Sequence, residues 1–191
     1  MEAIRHGRVI VYPTESVYGF GCDPLQPEAI QKIVTLKQRE PRKGFILIVS
    51  NFSQLEPYID WEKVPREKWQ TVEASWPGPV TWVLPAQSHI NRLLLGPERT
   101  IAIRMSAHPV AQSLCEHMKG AIVSTSANFS AQAPLMQSID ILTHFSSDIA
   151  GVVAGDLGGD DKPSWVIDFA SYKVLRIGSD TEIIKTLGIN I

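Results

Sequence analysis

Short apolar runs alternate with amphipathic stretches along the chain, and the alternation predicts the elements. Arg8 to Tyr12, RVIVY, is β-branched and stops at Pro13, which reads as a buried first strand. Phe45 to Val49, Val80 to Leu84, Thr100 to Met105 and Ala121 to Ser124 read as further strands, and Gly151 to Ala154 as a short one. Trp165 to Asp168 and Tyr172 to Arg176 predict a hairpin around Phe169 to Ser171.

Between them the apolar period lengthens to that of helices. Pro27 opens one with Ile30, Ile33 and Val34 on one face, running into Lys37 and Arg39. Ser53 to Tyr58 reads as a short helix, and Pro65 opens a longer one in which Trp69, Val72 and Trp76 recur as core residues. Pro109 starts another, striped by Val110, Leu114 and Met118 and stopped by Gly120. Ser138 to Phe145 is helical, and the last helix carries a capping box of Ser179 and Glu182 with Gly188 as its stop. PTESVYGFGCDP reads as a loop, Gln87 to Arg99 as a polar excursion and GDLGGDDKP as a flexible turn whose glycines permit a lid. Strands interleaved with helices, with a late hairpin, define an α/β fold on a mixed sheet. Every polar motif leaves a predicted strand, so the motifs can converge on one cavity.

Length and composition narrow the class. At 191 residues, 44% hydrophobic and 20% charged, the chain reads as one globular domain over residues 1–191. It has no apolar run long enough to span a bilayer and no secretory leader pattern, so the expected location is cytoplasmic. Two cysteines, Cys22 and Cys115, read as packing, and five scattered histidines lack metal-ligand spacing. No metal site is expected from the protein alone.

Charge changes the picture at one place. The net charge is −2, yet KQREPRK sets Lys37, Arg39, Arg42 and Lys43 against Glu40 alone. A local cationic knot in a mildly acidic chain implies a local anionic ligand at a sheet edge, or else a solvated helix end whose cations complement the dipole. Hydroxyls and an amide in PTES and STSAN beside those cations suit an anion carrying a ribose or an amino acid. Ser124, Ser126 and Ser130 lack a nucleophile elbow, so chemistry here rests on positioning and charge stabilisation, the logic of phosphoryl or nucleotidyl transfer. The competing reading is a non-catalytic RNA-binding module, with tRNA or structured rRNA in the cationic concavity. The acidic net charge and the concentration of cations in one loop weigh against it.

RVIVYPTESVYGFGCDP, LKQR with KGFILI, WPGPVT, TIAIRMSAHP and VSTSANFSAQAP stand in the order found in the threonylcarbamoyl-adenylate synthases, and the chain resembles this YrdC-like family over roughly residues 8 to 178. The resemblance is to the short, single-domain bacterial form. It implies a YrdC/RibB-like twisted mixed sheet with flanking helices around a concave cationic cavity. It also implies an ATP-dependent nucleotidyltransferase that joins L-threonine, bicarbonate and ATP, releases diphosphate and feeds the t6A modification of tRNA position 37 through downstream threonylcarbamoyl transferase proteins. Mg²⁺ would be held by the phosphates. Carried over residue by residue, Lys37, Arg39 and Lys43 face the ATP phosphates, the first two as catalytic residues, while Thr100, Ser126, Asn128 and Arg176 bind the nucleotide. Thr14, Arg104, Ser124 and Ser164 fall to threonine, Arg104 pairing with its carboxylate. Glu40 stands where the family has proline, Ser16 and Trp165 replace threonines, and the usual first helix is short or missing.

Overall fold

The computed structural model describes residues 2–130 and 132–190; Ala131, inside the VSTSANFSAQAP stretch, lies outside them, as do Met1 and Ile191. Among the described residues eight strands form one mixed sheet: β1 Ile10–Pro13, β2 Tyr18–Gly21, β3 Ile46–Val49, β4 Val80–Pro85, β5 Thr100–Met105, β6 Ile122–Ser126, β7 Trp165–Asp168 and β8 Val174–Arg176. Their order is β1-β2-β6-β3-β5-β4-β7-β8. Only β3 with β5 and β4 with β7 run parallel; the other neighbours are antiparallel.

Side chains alternate across this sheet, and the two faces differ. Leu47, Trp82, Ile101, Ile103, Val123, Trp165 and Ile167 point to one face and are buried there with Ile30 and Ile33 of α2 (Pro27–Lys37). The opposite face is covered only in part. Helix α4 (Pro109–Met118) packs Ala111, Leu114 and Cys115 over Ile10, Tyr12, Ile48 and Ile122. Beyond it the register lines up Ser124, Ile46, Ala102, Val83 and Asp168 across five strands. Those positions stay half-buried. They floor a cleft on the part of the face that α4 leaves open.

Several elements differ from the sequence reading. PTESVYGFGCDP contains a strand, β2, bonded on both sides by β1 and β6; pairing overrides the weak strand propensity of its two glycines. Ser53 to Tyr58 gives only the 3₁₀ turn Phe52–Leu55. Helix α3 (Arg66–Ala74) ends before Trp76, which still packs with Trp69 and Phe52 as a core residue. Lys119, in a left-handed conformation, ends α4 instead of Gly120. Gly151 to Ala154 makes a single bridge, Val152 to Val11. Asp180 caps α6 (Thr181–Thr186) through Glu182 N, and Ser179 turns to Asp160 instead. The predicted α5, Ser138–Phe145, and the hairpin of β7 and β8 are present. The first helix, α1, is the single turn Glu2–Arg5.

Candidate functional site

Two cavities of about 710 and 430 Å³ share Arg39, Ile46 and Arg176 and form one cleft over the open half of the sheet. Thr14, Arg104, Ser124, Ser126 and Ser164 line the larger part, and Lys43 and Thr100 the smaller. The larger part presents Arg39, Arg104, Lys162 and Arg176 alongside Asp160 and Asp161. Nine of the eleven site residues picked out in the sequence thus face a common space. Lys37 and Asn128 do not line it.

Arg39 reaches the cleft because the chain doubles back after α2. Gln38 takes a left-handed conformation at the helix end, and Pro41–Lys43 makes a 3₁₀ turn. The Arg39 guanidinium then donates to Gly44 O at 3.2 Å from Nε and 2.8 Å from Nη2, and lies over the Phe45 ring. Gly44 has φ of 55°, and a Cβ there would come within 2.7 Å of the Leu95 and Gly96 backbone, so the loop closes only on glycine. Glu40 and Pro41 therefore leave Arg39 directed inward, whereas Arg42 is exposed and outside the cleft lining.

Lys37 lies 2% exposed beneath the loop after β6. Its ammonium donates to Asn128 O at 2.9 Å, to Asn128 Oδ1 at 3.0 Å and to Ser126 O. Asn128 accepts from Ser126 Oγ at 2.6 Å and donates to Phe129 O and Gln132 O. The three protons of the ammonium are spent on holding this loop. Burial, aided by Arg39, pulls its pKa down to about 8.

Arg104 projects from β5 with only 8% exposure. Its Nε donates to Gly78 O at 2.9 Å and its Nη2 pairs with Glu15. On the far wall, Arg176 Nη2 donates to Ser164 Oγ at 2.9 Å and Nε to Ser164 O at 2.9 Å; Ser164 Oγ also shares a 2.8 Å hydrogen bond with Thr81 Oγ1. Burial, with repulsion from Arg104, lowers the Arg176 pKa, and burial lowers that of Arg39. Desolvated like charges facing one cleft favour an anion between them. Trp165 lies on the opposite, fully buried face, so its substitution leaves Ser164 in the cleft.

Thr14 donates to Val17 O at 2.6 Å and Thr100 to Pro97 O at 2.9 Å. The sequence reading missed Glu15, the partner of Arg104, and the cleft residue Lys162, and set aside Asp160 and Asp161, which also line the cleft, as residues of a turn. Glu15 stood inside the PTE motif, but nothing local marks which side its carboxylate takes. GDLGGDDKP is not loose: Gly158 N donates to Thr14 O and Asp160 N to Glu15 O. Among the described residues no group of three or more His, Cys, Asp or Glu could hold a metal ion, and no helix is long and apolar enough to cross a membrane.

The fold is a mixed α/β sheet with a cleft on its open face, lined by arginines and hydroxyls. The Sua5/YciO/YrdC family model, described as "Telomere recombination", matches residues 2–178, and the chain belongs to that family. It is 40% identical over 178 residues to a protein of Vibrio parahaemolyticus named threonylcarbamoyl-AMP synthase, covering 93% of this chain and 96% of the relative. Among solved structures, P. abyssi Sua5 complexed with L-threonine superposes with a TM-score of 0.88 at 31% identity over 98% of this chain. The chain spans 56% of that longer protein. E. coli YciO matches with a TM-score of 0.81 at 29% identity, covering 95% of this chain and 89% of its own.

Proposed function

We propose that this chain is a threonylcarbamoyl-AMP synthase that joins L-threonine, bicarbonate and ATP and releases diphosphate. The observation that carries the reading is the placement of Arg39, Arg104 and Arg176 around one cleft with the hydroxyls of Thr14, Ser124, Ser126 and Ser164. The threonine amine takes up the carbon of bicarbonate as a carbamate, with loss of water. A carbamate oxygen then attacks the α-phosphorus of ATP, and the α–β bridging oxygen leaves with diphosphate. The substrates carry every reacting bond, so the enzyme supplies orientation and charge.

Arg104 takes the threonine carboxylate, with Thr14, Ser124 and Ser164 around the amino acid. Arg39 and Lys43 face the phosphates, and Thr100, Ser126 and Arg176 the nucleotide. Arg39 is the catalytic residue of this scheme, stabilising charge on the departing diphosphate. Lys37 and Asn128 act one step back, by fixing the loop that carries Ser126. Mg²⁺ fits a site that offers few protein ligands: the ATP phosphates would hold it, Asp160 and Asp161 are carboxylates of the larger part of the cleft and Glu98 and Asp168 of the smaller, and the ion would neutralise phosphate charge. The product suits downstream threonylcarbamoyl transfer to tRNA in the cytoplasm.

The test is diphosphate release by the pure protein with ATP and bicarbonate, with and without L-threonine. Threonine-dependent release supports the reading. Absence of release together with RNA binding that falls steeply with salt contradicts it.

A further inference from the structure

Glu15 follows Thr14 in the chain, yet it is absent from the cleft lining and turns its carboxylate into the protein. There Oε1 accepts from Ser106 Oγ at 2.7 Å and from His108 N at 3.3 Å, and pairs with Arg104 Nη2. Gly78 O holds the guanidinium from another side through Nε. A guanidinium has five N–H donors in a rigid fork, so two fixed edges determine how the remaining ones meet a ligand.

The same residue also holds the rim of the cleft. Glu15 O accepts from Asp160 N at 2.9 Å, and the preceding Thr14 O accepts from Gly158 N at 3.0 Å. The two backbones touch, since a Cβ on Gly158 would stand 2.8 Å from Glu15 Cα. His108, whose amide meets the Glu15 carboxylate, sets its ring Nε2 3.0 Å from Asp156 O. One residue therefore joins an arginine of the sheet to the segment carrying Asp160, Asp161 and Lys162.

We infer that Glu15 is a positioning residue, which aims Arg104 at the carboxylate of the amino-acid substrate and fastens the 156–162 rim over it. The inference rests on the assignment of Arg104 to the threonine carboxylate. Burial opposes ionisation of Glu15, but Arg104 and Ser106 hold its pKa below the usual glutamate value, so the pair is ionic at neutral pH. An uncharged isostere keeps the shape and loses the aim. The effect falls on one substrate, because Arg39 and Lys43, which face the phosphates, make no contact with Glu15.

The experiment is steady-state diphosphate release by wild type, Glu15→Gln, Glu15→Asp and Ser106→Ala, with threonine and ATP varied separately. Glu15→Gln is expected to raise the threonine KM at least about tenfold, the scale of a lost charge-assisted contact, and to leave the ATP KM within about twofold. Glu15→Asp is expected to recover part of the loss, and Ser106→Ala, which spares the Arg104 pair, to shift the threonine KM in the same direction by less. Equal rises in both KM values, or an unchanged threonine KM in Glu15→Gln, overturn the inference. If Glu15→Gln does not fold, an unchanged threonine KM in both Glu15→Asp and Ser106→Ala overturns it as well. A wild-type protein without threonine-dependent release instead overturns the functional reading on which the inference stands.

Discussion

Lys37 Nζ donates to Asn128 Oδ1 at 3.0 Å, joining the last turn of α2 to the loop that follows β6. The cation at the head of KQR is thus a clasp beneath the cleft and not part of its lining. Its three acceptors all belong to residues 126 and 128.

Lys37→Ala takes one donor from each of these oxygens; Asn128 Oδ1 keeps Ser126 Oγ and Ser126 O keeps Asn128 N, so among the described residues Asn128 O is the group left unsatisfied, at a cost of about 1–3 kcal/mol. We expect a loss of about 1–3 kcal/mol in urea unfolding together with a fall in turnover, as the loop that carries Ser126 loosens. Lys37→Arg is expected to fail as a rescue, because a planar fork cannot meet three acceptors grouped around one ammonium. Near-wild-type stability in Lys37→Ala would remove the clasp.

The depressed Lys37 pKa separates activity from stability above pH 8. With a folded value of about 8 against an ordinary lysine value of 10.5, the unfolded chain binds more protons through this window. Its contribution to stability therefore rises from about pH 8 upward, while the neutral amine has one donor too few for its three acceptors. Turnover should decline through pH 8 without a parallel loss of thermal stability from this group. A pH profile of kcat beside melting curves checks both halves.

Arg39→Ala should cut turnover by at least about tenfold and leave the fold intact, since the guanidinium contributes charge to the cleft and its main-chain contacts are local. Circular dichroism and diphosphate release measure the two parts. Arg42→Ala, outside the cleft, should leave turnover within about twofold.

Gly178→Ala tests the buried side of the same wall. A Cβ there would meet Trp165 Cδ1 at 2.7 Å and Pro163 O at 2.8 Å, on either side of Ser164. Overpacking of this kind costs about 1–3 kcal/mol, and we expect a lower urea midpoint with raised KM values for nucleotide through displaced Arg176 and for threonine through displaced Ser164.

The fold was legible where pattern and geometry coincide. The run Phe45 to Val49, the run Thr100 to Met105 and the late hairpin are strands because alternation and β-branched residues leave few alternatives. Tyr18 to Gly21 was not legible, since two glycines in four residues say nothing about strands until β1 and β6 pair with them. The site followed the same division. Arg104, Ser124 and Arg176 point to the cleft by strand register, which the sequence carries. Lys37 and Glu15 turn inward because their partners, Asn128 and Arg104, lie about 90 residues away. Ser179 gave its capping role to Asp180 for a similar reason: Asp160 offers it a long-range partner at 3.3 Å.

The central claim is that one cleft assembles threonine, bicarbonate and ATP into a mixed anhydride. The most direct measurement is mass spectrometry of the product formed from ATP, L-threonine and ¹³C-bicarbonate. The account predicts a threonine-dependent adenylate that carries one labelled carbon and appears with an equal amount of diphosphate. Diphosphate release without threonine, or an adenylate that takes up no label, would contradict it.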